Sequence, residues 1–520
     1  MQLRHRLYGQ RQMCRGSVLR WLHSGYRIAR RTLRSRKAWA IGLAFIFLFT
    51  VDAVNYERYV ASSDRSPETY PVLALDEYRR LLVLAPHCDD EVLGAGGLIQ
   101  AALRQGMEVR VVIATAGDGY RRATIAEFHR VFLTPEDFIA MGERRQQESL
   151  DALARLGLEA RAITFLTYPE RGLAALWWDF WESEHPYRSP YSKREQNLYP
   201  RTFHPSAPYS GEMLLDDLHT ILAAERPDLI VMPHPNDEHP DHRALGAFTI
   251  LAVAMEQAED PAFQPRLLGY LVHYGLYPQP FGLKPQASLC PPRLLEPIGT
   301  WQQWQLSPGE LAAKREAVDA YRSQQRVLGP FLHGFVRQNE LYMDVDAVTV
   351  FSVVEGETFL DADSVPALPN DVALPECDDP VSDSVVRRLR GGADIANLYV
   401  LRLGDSLWVA LNLRAPVSRT YGYYLHARAI APQGSTTWSG HYGRKSTDGV
   451  TAHDHTVWYR LDIDALGDPD WLALAAETRQ GIVLDHTAWY LIYLQGDLLN
   501  GLANPSHLEY NRVSTETCND

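Results

Sequence analysis

Cysteine is scarce in this chain. There are five in 520 residues, at Cys14, Cys88, Cys290, Cys377 and Cys518, and no Cys-x-x-Cys pair. That scatter excludes a cysteine zinc site and a disulfide scaffold; Cys377 with Cys518 is one possible bridge if the body is exported. There is no internal repeat and no low-complexity tract. With 46% hydrophobic and 22% charged residues, disordered, collagen-like and coiled-coil readings are out. No apolar run approaches the length of an unambiguous membrane helix: AWAIGLAFIFLFTV (38–51) stops at Asp52, and Ala53-Val54 extend it only to 54. The glycine-rich stretch GAGG (94–97) lacks the third glycine of a dinucleotide fingerprint, and acids precede it where a pyrophosphate would be repelled. Those glycines read as close helix–sheet packing.

Positive charge is missing from most of the chain and concentrated at its start. Residues 1–37 hold eleven Lys/Arg and no acid, within a formal net charge of −13. The remainder carries 40 basic and 64 acidic residues, a net of −24. An acidic body argues against nucleic acid as a partner. The basic head before a short apolar run, with Trp39 at one end and Tyr56 and Tyr59 at the other, has the pattern of a single-pass anchor. Its N-terminus is then cytoplasmic and its body extracytoplasmic. A cleaved signal peptide and a twin-arginine signal at Arg30-Arg31 are the alternatives.

The length suggests more than one domain. RLLVLA (80–85), VRVVIAT (109–115), AITFL (162–166), DLIVMP (228–233) and LLGYLVHYG (267–275) read as buried strands. Helical patterns at 91–105, 142–156, 211–225 and 241–257 lie between them. The alternation predicts an α/β domain: a Rossmann-like, mostly parallel sheet with helices on both faces. A further helix is expected at 308–328 and a strand near 347–354. Beyond 385, aromatic and β-branched runs (LYVLRL, LWVALNL, YGYYLHARAI, TVWYRLDI, AWYLIYL) alternate with turn residues and predict an antiparallel β-sandwich. The expected divisions are a basic segment (1–37), an anchor (38–54), a linker (55–77), a catalytic domain (78–355), a second linker (356–384) and the sandwich (385–520).

Two polar clusters stand where strands of the parallel sheet should end. The first is LLVLAPHCDDEVLGAGG (81–97), with His87, Asp89, Asp90 and Glu91. His87-x-x-Asp90 can put an imidazole and a carboxylate on one ion and leaves Asp89 for proton transfer. Helix capping accounts for one acid, not for a histidine with three. The second is HPNDEHPDH (234–242), three histidines and three acids stiffened by prolines. His239 and His242 repeat the i, i+3 relation. Ligands bind parallel sheets at the carboxyl ends of strands, so the object shared by both clusters is read as a metal. Imidazole and carboxylate without thiolate suit Zn²⁺ or another divalent first-row ion. Two His and one Asp leave positions open, the catalytic arrangement.

These residues resemble the LmbE-like, or PIG-L, family of zinc-dependent N-acetylglucosaminyl deacetylases. The family's (A/P)HPDDE motif is matched by Ala85-Pro86-His87-Cys88-Asp89-Asp90-Glu91, with Cys88 in place of proline, and its HPDH by His239-Pro240-Asp241-His242. Thr115-Ala116-Gly117-Asp118-Gly119, Arg145-x-x-Glu148, Tyr168-Pro169-Glu170-Arg171-Gly172-Leu173 and the Lys314, Ala317, Ser323, Gln324 set look like its remaining segments. The resemblance spans about residues 78–345. It implies metal ligands at His87, Asp90 and His242, a general base at Asp89, and an oxyanion-stabilising His239 oriented by Asp241. It also implies substrate contact at Arg145; Glu170 and Asp237 are the further candidate substrate contacts. The implied chemistry is deacetylation of an N-acetylated sugar, glycan or glycolipid. The alternatives are a non-catalytic glycan-binding protein on a deacetylase fold and a metal-dependent hydrolase of another amide. A thiol at Cys88 beside zinc would be open to oxidation or to competition for the metal. The aromatic stretch 177–209 reads equally as an insert packed on the domain and as a wall for sugar rings.

Overall fold

The computed structural model describes residues 66–346, 377–379, 391–403, 406–431 and 434–494. The basic segment, the anchor, the first part of the first linker (55–65), most of the second linker and the strand expected near 347–354 lie outside the described residues. Among the described residues no helix is long and apolar enough to cross a membrane.

Five strands run parallel: β1 (Arg80–Ala85), β2 (Glu108–Thr115), β3 (Ile163–Tyr168), β4 (Leu229–Pro233) and β5 (Arg266–Tyr270). Two more, β6 (Trp301–Gln305) and β7 (Asn339–Val345), extend the sheet antiparallel in the order β3-β2-β1-β4-β5-β7-β6. The strands are apolar throughout because both faces are covered. On β1, Leu81, Val83 and Ala85 enter one core, while Leu82 and Leu84 enter the other. The chain turns from β1 toward β2 and β3, then returns to place β4 on the other side of β1. The crevice beyond the ends of β1 and β4 is therefore the place where such a fold takes a ligand. Both polar clusters follow those two strands.

Helix α1 (Asp90–Arg104) leaves β1, and α2 (Arg121–Phe128) follows β2. Helix α3 (Pro135–Arg155) begins seven residues before the periodicity suggests, because Thr134 and Asp137 close a capping box around Pro135. Helices α4 (Leu173–Trp178), α5 (Gly211–Glu225) and α6 (Pro240–Glu259) come next. The helix expected at 308–328 is two, α7 (Pro308–Ala320) and α8 (Arg322–Leu332). Tyr321 leaves helical geometry between them (ψ 61°), and its buried hydroxyl donates to Glu91 Oε1 at 2.5 Å. The strand expected to reach 275 ends at Tyr270, since the amides of Val272 and His273 turn to the Asp237 carboxylate instead of a neighbouring strand.

The C-terminal region is antiparallel and β-rich. One sheet runs β13-β14-β10-β9-β8, with β8 at Cys377–Asp378, β9 at Ile395–Leu403, β10 at Ser406–Leu413, β13 at Val450–His453 and β14 at Thr456–Asp462. The other runs β12-β11-β15-β16, with β11 at Gly422–Ala431, β12 at Gly434–Tyr442, β15 at Trp471–Arg479 and β16 at Val483–His486; β17 (Tyr490–Tyr493) also pairs with β15. Inner residues of both sheets share one core. Strands β12 and β15 escaped the sequence reading for opposite reasons. GSTTWSGHY is polar and largely exposed, whereas WLALAAETR is rich in strong helix formers and is a strand only because β11 and β16/β17 pair with it.

The aromatic stretch resolves as packing at its front. Trp177 lies 4.8 Å from Phe248 of α6 and 5.5 Å from Trp489 of the C-terminal region, ring to ring. Ile430, Trp471, Ala473 and Leu491 join the same core as α4, α5 and α6. These tryptophans join the two regions rather than form a sugar wall.

Candidate metal centre

After β1 the chain enters α1 through Asp89, whose backbone is forced to φ 135°, ψ −30°, a region that residues with a Cβ seldom occupy. The Asp89 carbonyl accepts from the amides of Val92 and Leu93, so the backbone caps the helix. The side chain makes no capping bond and is left over. The strained turn also brings His87 and Asp90 side by side, with His87 Nδ1 3.1 Å from Asp90 Oδ2.

After β4 the loop 234–239 delivers His242 on the first turn of α6. His242 Nε2 lies 3.1 Å from Asp90 Oδ2 and 3.3 Å from His87 Nδ1. Three buried donor atoms thus form a triangle with sides of 3.1–3.3 Å. Ligands about 2.0–2.1 Å from a tetrahedral ion stand roughly 3.3–3.4 Å apart, so the spacing fits a small divalent cation. The outer nitrogens confirm the sense of the rings. His87 Nε2 faces Asp241 Oδ2 at 3.1 Å, and His242 Nδ1 faces Asp237 Oδ2 at 3.2 Å, within ion-pair distance though off hydrogen-bond angle. A neutral ring that keeps its proton on the carboxylate side turns a lone pair inward. Three acceptors then face one another, an arrangement that a cation satisfies, and Asp90 Oδ2 also accepts from the His87 amide at 3.0 Å.

Without a cation the pocket must draw protons. Burial opposes charge on His87, but Asp241 and Asp90 outweigh it and hold its pKa well above the usual histidine range. At His242, Asp237 and Asp90 likewise overcome burial and push the value up to about 9. Metal and protons therefore compete for the same lone pairs. Below about pH 9, any cation taken up here must displace at least one proton, so apparent affinity for a divalent cation is expected to rise roughly tenfold per pH unit between pH 6 and 8. A chelator-competition titration across that range checks this. A flat profile would mean that neither ring gives up a proton to the ion.

The supporting carboxylates differ from the sequence reading. Asp241, expected to orient His239, sends its carboxylate to His87 Nε2 and to the amides of Arg171 (2.5 Å) and Leu173 (3.1 Å). It reaches His239 only through its backbone amide, which donates to Nδ1 at 3.2 Å. Asp237, expected to touch substrate, is fully buried and accepts from the amides of His239, Val272 and His273. Arg145 and Glu170 are buried as well. The guanidinium donates to Glu170 Oε2 (2.9 Å) and the Cys88 carbonyl (2.8 Å), and stands 3.6 Å from Asp89 Oδ2. Glu170 also accepts from the Gly119 amide. Arg145, Glu170 and Asp237 are buried and held by protein partners, although Arg145 Nε is left without one.

Three groups stand around the triangle: Asp89, His239, which lies within ligand distance of His87 and His242, and His273, which lies within ligand distance of Asp90 and His242. Asp89 makes no side-chain hydrogen bond among the described residues. Burial raises its pKa well above the carboxylate range, with the Asp90 and Glu91 charges adding to the rise against Arg145. The His239 ring is 4.7 Å from that of His87, and burial beside His87 and His242 holds its pKa down to about 2. With Nδ1 accepting, its proton sits on Nε2. His273 also belongs here: its ring lies 4.9 Å from His242 and 5.2 Å from His239, and stacks on Phe331. Only the position just past the β5 strand end hinted at it. Cys88 is fully buried in the core, and burial pushes its thiol far up. It is neither a candidate ligand nor placed for oxidation. His204 instead pairs with Asp217 on α5.

The stretch that supplies the triangle, Asp89 and His239 has known counterparts. Residues 82–253 match the PIG-L family, described as GlcNAc-PI de-N-acetylase. Two curated relatives carry the name 1D-myo-inositol 2-acetamido-2-deoxy-alpha-D-glucopyranoside deacetylase. The one from Corynebacterium urealyticum is 30% identical over 166 residues, 32% of this chain and 44% of that protein. The one from Streptomyces avermitilis is 28% identical over 306 residues, 54% of this chain and 93% of that protein. The chain thus spans under half the length of the first. Among solved structures, N,N'-diacetylchitobiose deacetylase from Pyrococcus horikoshii matches at 19% identity and a TM-score of 0.32, over 52% of this chain and 86% of that one. The PIG-L-like region holds the whole triangle and both outer carboxylates.

Proposed function

We propose that this protein is a zinc-dependent hydrolase that removes acetyl groups from N-acetylated amino sugars in a glycan or glycolipid. The observation that carries the reading is the inward triangle of His87, Asp90 and His242 with Asp89 unbonded beside it. The sugar is an N-acetylglucosamine type, by analogy with the names of the two curated relatives.

In this reading His87, Asp90 and His242 hold the ion, Asp241 and Asp237 fix the two rings from behind, and open coordination is left for reactants. A bound zinc ion supplies Lewis acidity to an acetamide carbonyl and to a water. Asp89, with its raised pKa, accepts the proton of the attacking water. His239 donates from Nε2 to the oxygen that gains charge, and a neutral ring does so without losing its proton. Since His239 is too weak a base to hold a second proton, Asp89 returns the proton it took to the departing amine.

Acetate release from N-acetylglucosaminyl-inositol, acetylated oligosaccharides and glycolipids tests the function. Activity should vanish with a strong chelator and return with zinc. A zinc-loaded chain that releases no acetate from any of them would leave the glycan-binding alternative.

The reading includes attachment to a membrane through residues 38–54, on the strength of the basic head and apolar run alone. The full chain should stay with membranes after an alkaline carbonate wash. Its release there would remove the anchor from the proposal.

A further inference from the structure

We propose that the C-terminal β-rich region is a working part of the metal centre, and that Arg428 is a positioning residue acting on His87 through α4 and Asp241. The inference rests on reading the triangle as a zinc site.

The path is continuous, bond by bond. His87 Nε2 meets Asp241 Oδ2 at 3.1 Å. The Asp241 carboxylate is held by the amides of Arg171 and Leu173, at the entry to α4. That entry tolerates little movement: a Cβ on Gly172 would stand 2.7 Å from Pro169 Cγ and 2.9 Å from its carbonyl oxygen. Six residues later, α4 ends at Trp178, whose carbonyl accepts from Arg428 Nη2 at 2.9 Å. Arg428 belongs to β11, and its other terminal nitrogen donates to Ser435 Oγ on β12. Its guanidinium lies 4.3 Å over the Trp181 ring. Trp489 adds a second contact, 5.5 Å from Trp177 and 5.8 Å from Trp178, ring to ring.

Arg428 is an unusual residue to find in such a place. It is fully buried, its Nε has no partner, and no carboxylate stands within ion-pair distance among the described residues. A buried guanidinium without an ion pair is costly. It persists here capping the last turn of a short helix, where a cation best satisfies an open carbonyl. One end of α4 is thus fastened by the C-terminal region and the other end fastens the carboxylate behind a metal-facing histidine. A carboxylate behind a ligand histidine sets ring direction and basicity, and its loss typically costs about 10–100-fold in metal affinity. A residue two steps further back should cost less.

The test uses the full chain and measures zinc affinity by chelator competition, together with acetate release. Arg428→Ala should weaken zinc roughly 3- to 10-fold, and Arg428→Lys should recover part of that. Trp489→Ala, which loosens the same end of α4 while leaving Arg428 in place, should shift affinity in the same direction and carries the test if Arg428→Ala fails to fold. Val450→Ala, in the core of the sheet away from α4, should lower the melting temperature and leave zinc affinity alone. In an Asp241→Asn background, Arg428→Ala should add little, because both act on one path. Wild-type zinc affinity in Arg428→Ala, an equal loss in Val450→Ala, or full additivity with Asp241→Asn would overturn the inference. A wild-type chain that binds no zinc would instead overturn the site reading on which it stands.

Discussion

Replacing Asp89 with alanine should reduce acetate release by about 10²–10⁴-fold, the usual contribution of a positioned general base, while zinc remains bound. The ligand triangle does not include Asp89, and among the described residues its carboxylate makes no side-chain hydrogen bond, only a 3.6 Å ion pair with Arg145, which keeps Glu170 as a partner. The same residue sits at φ 135°, a conformation that costs a side chain about 1–3 kcal/mol. Asp89→Gly should therefore be as inactive as the alanine variant yet melt at or above the wild-type temperature, since glycine accepts that backbone and a buried like charge beside Asp90 and Glu91 disappears. The two readouts separate: activity falls while stability holds or rises. Full acetate release in either variant removes Asp89 from the mechanism. A marked fall in melting temperature of Asp89→Gly would show that the turn is not strained against its side chain.

The largest loss of stability is expected far from the chemistry, at Lys314. This lysine on α7 is completely buried and donates to Glu340 Oε1 at 2.6 Å and to the Leu93 carbonyl at 2.9 Å. Glu340, on β7, accepts from the Gly97 and Leu98 amides of α1 and from the Tyr342 hydroxyl. The pair ties α1, α7 and the antiparallel edge of the sheet together from inside. Lys314→Met keeps the volume and abandons a carboxylate in the core, which costs about 3–5 kcal/mol. The double variant Lys314→Met, Glu340→Gln should regain a good part of the loss, because the uncompensated charge is gone while the amide oxygen still accepts from α1. Thermal melting of the wild type and the two variants decides it. A single variant within about 1 kcal/mol of wild type would mean that Glu340 sheds its charge at little cost.

The places where sequence reasoning succeeded and stopped follow one rule. Apolar runs bounded by turn residues located the five parallel strands because both faces of that sheet are buried and the signal is local. The strand WLALAAETR carries no such signal, since its pairing partners alone make it extended. The first polar cluster could be read as a metal motif from spacing. Nothing local says whether Asp241 turns toward His239 or His87, or that Asp237 ends behind His242 with three amides in its grasp. Those choices depend on where β5 stops and on where the entry to α4 lies. Arg145 illustrates the same limit: no local signal shows that its guanidinium is buried against Glu170, Cys88 and Gly117.

By itself the sequence determined the class of chemistry. Imidazoles and carboxylates clustered at the ends of buried strands, with thiols scattered and one of the five in the core, leave a hard-to-borderline divalent ion as the common object. It also determined the acidic body and the basic head, since net charge needs no fold. Tertiary structure alone decided which nitrogen of each histidine faces inward and which acids stand in the triangle, beside it or behind it. It also placed a β-rich C-terminal region at one end of a six-residue helix whose other end holds Asp241. The physical reason is that hydrogen-bond direction and burial are set by neighbours: His87 and His242, 155 positions apart, meet at 3.3 Å only when β1 and β4 lie side by side.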